Sequence, residues 1–122
     1  MLKTQESSEN YLETILILSK TKPVVRSIDI ANELSISKPS VSRGMKLLRE
    51  SESIEIDNNG YITLTDKGRG IAEKIYERHR LLTDFLTGIG VDEETAATDA
   101  CKIEHVISDE SFEYLKKYIR SL

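Results

Sequence analysis

The chain has 122 residues, of which 39 % are hydrophobic and 31 % charged, and its formal net charge is −4; this size fits one small domain, or one with an attached helical part. No apolar stretch approaches the ~20 residues of a membrane span, and no basic-then-apolar leader begins the chain, which predicts a cytoplasmic protein with no membrane partner. The single cysteine excludes an internal disulfide and agrees with that compartment.

The first predicted helix runs from Glu9 to about Lys20. Ser8 precedes it and is a good N-cap, because a serine hydroxyl can accept a hydrogen bond from a backbone N–H of the first turn. Pro23 ends it, since proline cannot continue a helix. Helical spacing assigns four apolar side chains to the core: Leu12, Ile15, Leu16 and Leu18.

Two further helices follow, one over Ser27–Leu34 and one that starts near Lys38 and reaches about Glu50. Ala31 supplies the small residue that lets two helices cross closely, and Ser35 occupies the turn position where glycine is usual. This spacing is typical of a helix-turn-helix. It assigns six apolar residues to buried positions: Ile30, Leu34, Ile36, Val41, Met45 and Leu48.

The stretch "SIEIDNNGYITLT" predicts a β-hairpin, and its register can be argued. A three-residue loop at 58–60 pairs Ile56 with Ile62. It also pairs Ile54 with Leu64, so that the four apolar side chains share one face, which a two-residue loop would spoil. The glycine of the loop then takes the left-handed conformation that such loops need.

Three more helices complete the chain. Thr65 caps a long helix over about Asp66–Thr87, which ends at glycines, and Asp92 caps the next. Ser108 caps the last, over about Asp109–Ser121. The predicted fold class is therefore mainly α with a small β-hairpin: a winged helix-turn-helix followed by a helical region.

The winged helix predicts DNA binding. Although the whole chain is acidic, residues 21–50 carry six cations and three carboxylates, a net charge of +3. We expect the third helix to enter the major groove, with Arg43 reading a guanine edge and the hairpin tip touching the backbone or minor groove. The residues assigned to DNA contact are Arg26, Ser37, Lys38, Pro39, Ser40, Ser42, Arg43, Lys46, Asn58 and Asn59. The alternative is a three-helix module used for protein contact.

The stretch "DACKIEHVIS" places three potential metal ligands on one helix. Each residue advances an α-helix by about 100°, so Cys101, Glu104 and His105 lie within an arc of roughly 100°. Thiolate, carboxylate and imidazole are the groups that hold first-row divalent metals, and a thiolate favours Fe²⁺ or Zn²⁺ over Mn²⁺. The alternative is an ordinary buried thiol beside two surface groups.

Other ligand types lie at suitable places along the chain. His79 is the only other histidine, in the polar run "YERHR", and Asn10 and Glu13 are one turn apart on the first helix. Taken singly, each is more typical of a solvated helix residue. Together with the later triplet they predict a site to which three helices contribute.

With its winged helix and its potential metal ligands taken together, the chain resembles the family of the diphtheria toxin repressor and the manganese transport regulator. The resemblance covers nearly the whole length and rests on "SENYLETI" (8–15), the winged helix (28–65), "LTDKGRGIAEKIYERHRLLTDFL" (64–86) and "ACKIEHVISDE" (100–110). It implies a homodimeric repressor with Fe²⁺ or Mn²⁺ as co-repressor. It also implies that the helices after the wing form the dimerisation and metal-binding region.

The resemblance implies a ligand set that mixes two branches of the family. The implied ligands are Asn10, Glu13, His79, Cys101, Glu104 and His105. Cys101 matches the iron-sensing branch, whereas Glu13 with His79 matches the second site of the manganese branch. Thr83 and Ala97 stand where the iron branch has ancillary ligands, which implies that its ancillary site is absent. Asn10 departs from both branches, and the resemblance implies the short manganese-type architecture, without the SH3-like domain of the iron branch.

The resulting prediction is a metal-dependent transcriptional repressor that binds palindromic operators of metal-homeostasis genes as a homodimer. Its DNA-binding domain is 1–65, its helical dimerisation and metal-binding domain is 66–122, and its cofactor is Mn²⁺ or Fe²⁺, with Zn²⁺ a third candidate. We expect no enzymatic activity and no small organic substrate, because the spacing of a zinc hydrolase motif is missing. The rival interpretation is a metal-independent winged-helix regulator that senses redox state through Cys101. The operator, the physiological metal and the number of ions are left open.

Overall fold

Six helices and one hairpin make up residues 2–122, which the computed structural model describes, with side chains from residue 7 onward. The elements are α1 (Leu2–Thr21), α2 (Ser27–Leu34), α3 (Lys38–Glu50), β1 (Ile54–Ile56), β2 (Ile62–Leu64), α4 (Asp66–Gly88), α5 (Glu93–Val106) and α6 (Asp109–Arg120). This order confirms the predicted fold class. Contacts divide the chain into an N-terminal unit, Met1–Glu73, and a C-terminal unit, Lys74–Leu122.

Helix α1 begins earlier than predicted. It starts at Leu2, so the prediction that Ser8 caps a helix starting at Glu9 is wrong. The residues before Ser8 include neither proline nor glycine, and nothing in the local sequence interrupts helical hydrogen bonding. The predicted core positions of α1 are confirmed, since Leu12, Ile15, Leu16 and Leu18 are buried.

The helix-turn-helix is formed as predicted, with one error in its buried set. Ile30, Val41, Met45 and Leu48 are buried, and Leu34 is half-buried. The prediction for Ile36 is wrong, because that side chain is exposed. Ser35 takes the left-handed conformation, with φ 54° and ψ 45°, and Ile36 N then donates to Ala31 O. The chain turns sharply there and leaves Ile36 at the surface of the turn.

The hairpin has the predicted register. Ile56 pairs with Ile62 and Ile54 with Leu64, and Gly60 has the left-handed φ of 80°. Ile62 N also donates to Val25 O at 2.8 Å, so β2 is hydrogen-bonded to the segment that precedes α2. The wing is thereby fixed to the helix-turn-helix within the N-terminal unit.

The predicted caps of the last three helices are confirmed. Thr65 Oγ1 accepts from Gly68 N at 3.1 Å, Asp92 caps α5 and Ser108 caps α6. In the C-terminal unit the core is made by apolar residues of all three helices: Ile75, Leu82, Ala96, Ala100 and Phe112. Among residues 2–122, we find no helix with both the length and the apolar character to cross a membrane.

We predict opposite effects of alanine at the two glycines near the start of α4. A Cβ on Gly68 would lie 1.9 Å from Ser53 O, whereas a Cβ on Gly70 would meet no described atom within 4 Å. Gly68→Ala should therefore lower the free energy of unfolding by about 2–3 kcal/mol through overpacking. Gly70→Ala should raise it by about 0.5–1 kcal/mol, because alanine is the better helix former. Urea unfolding measures both, and equal stability of the two variants would contradict the predicted close approach.

Candidate metal centre and nucleic-acid interface

The N-terminal turn of α3 is organised by a short chain of hydroxyl and guanidinium groups. Ser37 is the N-cap and accepts from Ser40 N at 3.3 Å. Its own hydroxyl donates to Ser40 Oγ at 2.9 Å, and Arg43 Nη2 donates to the same Oγ at 3.3 Å. Arg43 is thus held beside the helix N-terminus, where backbone N–H groups favour anions such as phosphate.

The residues assigned to DNA contact are solvent-accessible in the structure. Ser40 is half-buried. The other nine are exposed: Arg26, the N-cap Ser37, Lys38, Pro39, Ser42, Arg43, Lys46, Asn58 and Asn59. One face of α3 and the hairpin tip are therefore available to a ligand. The individual DNA roles of these residues stay predictions.

Arg26 is tied to the wing. Its Nη2 donates to Tyr61 Oη at 3.1 Å, and its guanidinium lies 4.8 Å from the centre of the Tyr61 ring. Its backbone N donates to Asp29 Oδ2 at 2.8 Å, at the start of α2. Arg26 therefore links the loop end of the wing, at Tyr61, to the start of α2.

Asp57 shapes the wing tip, a role that the sequence interpretation missed. Its Oδ1 accepts from the backbone N–H groups of Asn59 and Tyr61, each at 2.9 Å. An aspartate that bonds its own backbone two residues onward is an Asx turn. The sequence "DNNG" carries that signal at Asp57, which fixes the loop that presents Asn58 and Asn59.

On α5, three side chains converge as predicted. One ligand atom from each of Cys101, Glu104 and His105 lies within 4.8 Å of the other two; we call these residues the α5 triad. Glu104 is fully buried and the His105 side chain is 1 % exposed, while Cys101 is half-buried. The alternative of a thiol beside two surface groups does not describe this helix, because two of the three groups are inside.

The Glu104 carboxylate is the centre of this cluster. Its Oε2 lies 2.8 Å from His79 Nδ1, in a hydrogen bond between α4 and α5. Its Oε1 lies 3.4 Å from His105 Nε2 but makes no hydrogen bond to any group within residues 7–122. A buried oxygen left unsatisfied costs about 1–3 kcal/mol.

A divalent cation fits this donor set. Sulfur, carboxylate oxygen and imidazole nitrogen are the ligand types of first-row divalent metals, and a cation would satisfy the unbonded oxygen of Glu104. His79 and His105 are placed to share that carboxylate from two sides. The structure thus brings together four of the six implied ligands in the C-terminal unit.

The other two implied ligands lie in the N-terminal unit. On α1, Asn10 is half-buried and Glu13 is 7 % exposed. A buried carboxylate requires compensation by a hydrogen bond or a positive charge. The assignment of Asn10 and Glu13 as metal ligands stays a prediction.

Arg78 is a second residue that the sequence interpretation missed. It is buried on α4, where its Nη1 donates to Glu104 O at 3.2 Å and to Ile107 O at 2.9 Å. Its Nη2 donates to Asp109 Oδ1 at the start of α6. The sequence carried a signal, because Arg78 falls three residues after Ile75 and four before Leu82, in the buried stripe of α4.

Asp109 completes this corner between α5 and α6. Lys74 Nζ lies 2.7 Å from Asp109 Oδ1, and the Arg78 guanidinium bonds the same oxygen. The hydrogen bond and charge of Lys74, with the charge of Arg78, hold the pKa of Asp109 below its usual value of 3.8.

Comparison with known families finds two models that together match nearly the whole chain. Residues 3–65 match the model described as iron dependent repressor, N-terminal DNA binding domain. Residues 65–122 match the model described as iron dependent repressor, metal binding and dimerisation domain.

Individual proteins similar to this chain are also transcriptional regulators. The chain is 35 % identical to an uncharacterised helix-turn-helix-type transcriptional regulator of Methanocaldococcus jannaschii, over 93 % of each chain. It is 39 % identical to the transcriptional regulator MntR of Geobacillus kaustophilus, over 84 % of this chain and 72 % of that one. The corresponding protein of Bacillus subtilis is 37 % identical, over 86 % and 74 %.

Solved structures share the fold. The manganese regulator SloR is 31 % identical with a TM-score of 0.81, over 93 % of this chain and 53 % of that one. A manganese-dependent transcriptional repressor in complex with manganese is 26 % identical with a TM-score of 0.83, over 92 % and 52 %. The chain thus spans about half the length of these two proteins.

We predict that the α5–α6 corner loses stability in acid. Because folding lowers the pKa of Asp109, its contribution is present above its usual pKa and is lost as the pH falls through the lower folded pKa. The urea midpoint of the unmodified protein should fall between pH 5 and pH 3, and in Asp109→Asn this fall should be smaller. Asp99→Asn, an exposed carboxylate on α5, is the control. An equally reduced fall in both variants would count against this role.

Proposed function

We propose that this chain binds a divalent metal ion through its α5 triad and that metal binding strengthens its binding to operator DNA. The chain belongs to the iron-dependent repressor family of metal-dependent, DNA-binding transcriptional repressors. One observation carries the proposal. The fully buried carboxylate of Glu104 keeps one oxygen unbonded within residues 7–122, and that oxygen faces His105.

In this proposal Cys101, Glu104 and His105 hold the ion, and His79 shares the Glu104 carboxylate. The ion would supply the positive charge that favours a thiolate next to a fully buried carboxylate. Mn²⁺ and Fe²⁺ are the proposed co-repressors, with Zn²⁺ third. Similarity to a manganese regulator and to a manganese-dependent repressor favours manganese, whereas the soft sulfur of Cys101 favours iron or zinc.

Asn10 and Glu13 are proposed as further ligands on the strength of the sequence resemblance. Glu13 supplies a carboxylate that is almost fully buried, and such a group gains from a nearby cation. Asn10 supplies an amide oxygen without charge, so its contribution to affinity would be smaller than that of an aspartate.

DNA is the second proposed ligand. The exposed N-terminal turn of α3 would enter the major groove, with Arg43 donating to a guanine and Lys46 to a phosphate. The chain would act as a homodimer, through residues 66–122, on a palindromic operator whose half-sites lie in successive major grooves. Residues 1–65 would form the DNA-binding domain. No enzymatic role or small organic substrate enters this proposal.

Metal binding and DNA binding would be coupled thermodynamically. If metal-loaded protein favours the dimer form that matches the operator, DNA binding and metal binding strengthen each other by the same factor. A coupling of about 1–3 kcal/mol would tighten operator binding roughly 5–150-fold. Helix α4, which contributes residues to both units, is the element that continues from one into the other.

We predict that Glu104→Gln and His105→Ala abolish the metal response. Glu104→Gln removes the negative charge of the central group and His105→Ala removes an imidazole ligand, so Mn²⁺ or Fe²⁺ should no longer tighten DNA binding, a loss of the roughly 5–150-fold coupling. Fluorescence anisotropy of a labelled operator, with and without metal, measures the effect. Glu94→Gln, an exposed carboxylate on the same helix, is the matched control. A full metal response in both triad variants would refute the assignment.

We predict that Arg43→Ala weakens operator binding without changing metal affinity. Loss of a bidentate contact to guanine should cost about 1–3 kcal/mol for the specific site and little for random DNA. Lys46→Ala is the comparison, because loss of a phosphate contact should weaken both DNAs alike and reduce the salt slope by about one. Titrations at several salt concentrations separate the two. An unchanged specific affinity in Arg43→Ala would contradict its reading role.

A further inference from the structure

Two consecutive residues of α4 hold Glu104 at two different places. His79 Nδ1 lies 2.8 Å from the carboxylate oxygen Oε2, and Arg78 Nη1 donates to the backbone oxygen at 3.2 Å. The side chain and the main chain of the central residue of the α5 triad are therefore both fixed by the neighbouring helix.

Arg78 acts at the end of α5, where backbone carbonyls have no partner within the helix. Glu104 O and Ile107 O both accept from its Nη1, and a cation at a helix C-terminus is favoured by the helix dipole. The other arm of the guanidinium reaches Asp109, the first residue of α6. One buried side chain thus fixes the last turn of α5, which carries Glu104 and His105, against the next helix.

Burial of the Arg78 side chain costs free energy, which indicates a specific role for its guanidinium. The Arg78 guanidinium is buried, and its Nε makes no hydrogen bond within residues 7–122. The guanidinium also lies 5.2 Å from the centre of the Phe112 ring. An apolar residue would suit this stripe of α4 for packing alone, so the fork-shaped donor set is what the site uses.

We propose that Arg78 is a positioning residue for the metal centre: it fixes the C-terminal turn of α5 so that Glu104 and His105 face a common point before any ion is bound. This inference rests on the proposed function. Groups that orient metal ligands set affinity as well as geometry, and their loss typically costs about 10–100-fold in metal affinity. Lysine cannot replace Arg78 here, because one ammonium cannot reproduce a planar fork that serves two carbonyls and a carboxylate.

The test is Mn²⁺ binding to purified Arg78→Lys, followed by electron paramagnetic resonance and calorimetry. We expect at least tenfold weaker binding and an altered spectrum of the bound ion, because the ligands are misplaced. Leu82→Ala, which truncates a buried residue of the same helix, is the stability control. It should lower the melting temperature but leave Mn²⁺ affinity within about threefold. If Arg78→Lys does not fold, Arg78→Gln is measured by the same criteria.

Two results would overturn the proposal. One is Mn²⁺ affinity within about threefold of the unmodified protein in the Arg78 variant, and the other is an equal loss of affinity in Leu82→Ala. His105→Ala in the same assay separates this inference from the proposed function. If that variant still binds Mn²⁺ normally, the α5 triad is not the site. If it loses Mn²⁺ while Arg78→Lys does not, only the positioning role fails.

Discussion

The structure of the C-terminal unit depends on how a fully buried carboxylate is compensated. Glu104 is enclosed, and burial of a charge without partners is among the most costly events in folding. His79 satisfies one oxygen, Arg78 holds the backbone, and the second oxygen faces His105 without a hydrogen bond. A cation bound there would complete the compensation. In the proposed function, the free-energy cost of this buried carboxylate would therefore favour the binding of a metal ion.

Two segments of the chain carry net charges of opposite sign. Residues 21–50 have a net charge of +3 and contain the helix-turn-helix, whereas residues 90–122 have a net charge of −4 and contain the α5 triad. A polyanion is favoured by the first segment and a cation by the second. The overall charge of −4 conceals this division, which becomes visible only when segments are considered separately.

Local sequence rules predicted the features whose causes are local. The register of the hairpin follows from the alternation of Ile54, Ile56, Ile62 and Leu64, and the caps at Thr65 and Ser108 follow from hydroxyls placed before helical stretches. The convergence of the α5 triad follows from helical spacing alone. The family resemblance is confirmed by models that match both halves of the chain.

Features that depend on tertiary context were predicted wrongly or missed. A serine can cap a helix or continue one, so the local sequence does not determine where α1 begins. The apolar side chain of Ile36 predicts burial, but the turn at Ser35 leaves it exposed. Arg78 was missed because burial of an arginine depends on acceptors far away in sequence, at Glu104 and Ile107. Such partners are identified only once the fold is known.

We propose that the α5 triad binds a divalent ion through the thiolate of Cys101 together with Glu104 and His105. Its most direct test is titration of the reduced protein with Co²⁺, a spectroscopically visible first-row cation, followed by near-ultraviolet absorbance. We expect a saturable thiolate-to-metal charge-transfer band that is lost in Cys101→Ser and strongly weakened in His105→Ala. Stoichiometric Co²⁺ binding without that band, or a band unchanged in both variants, would contradict it.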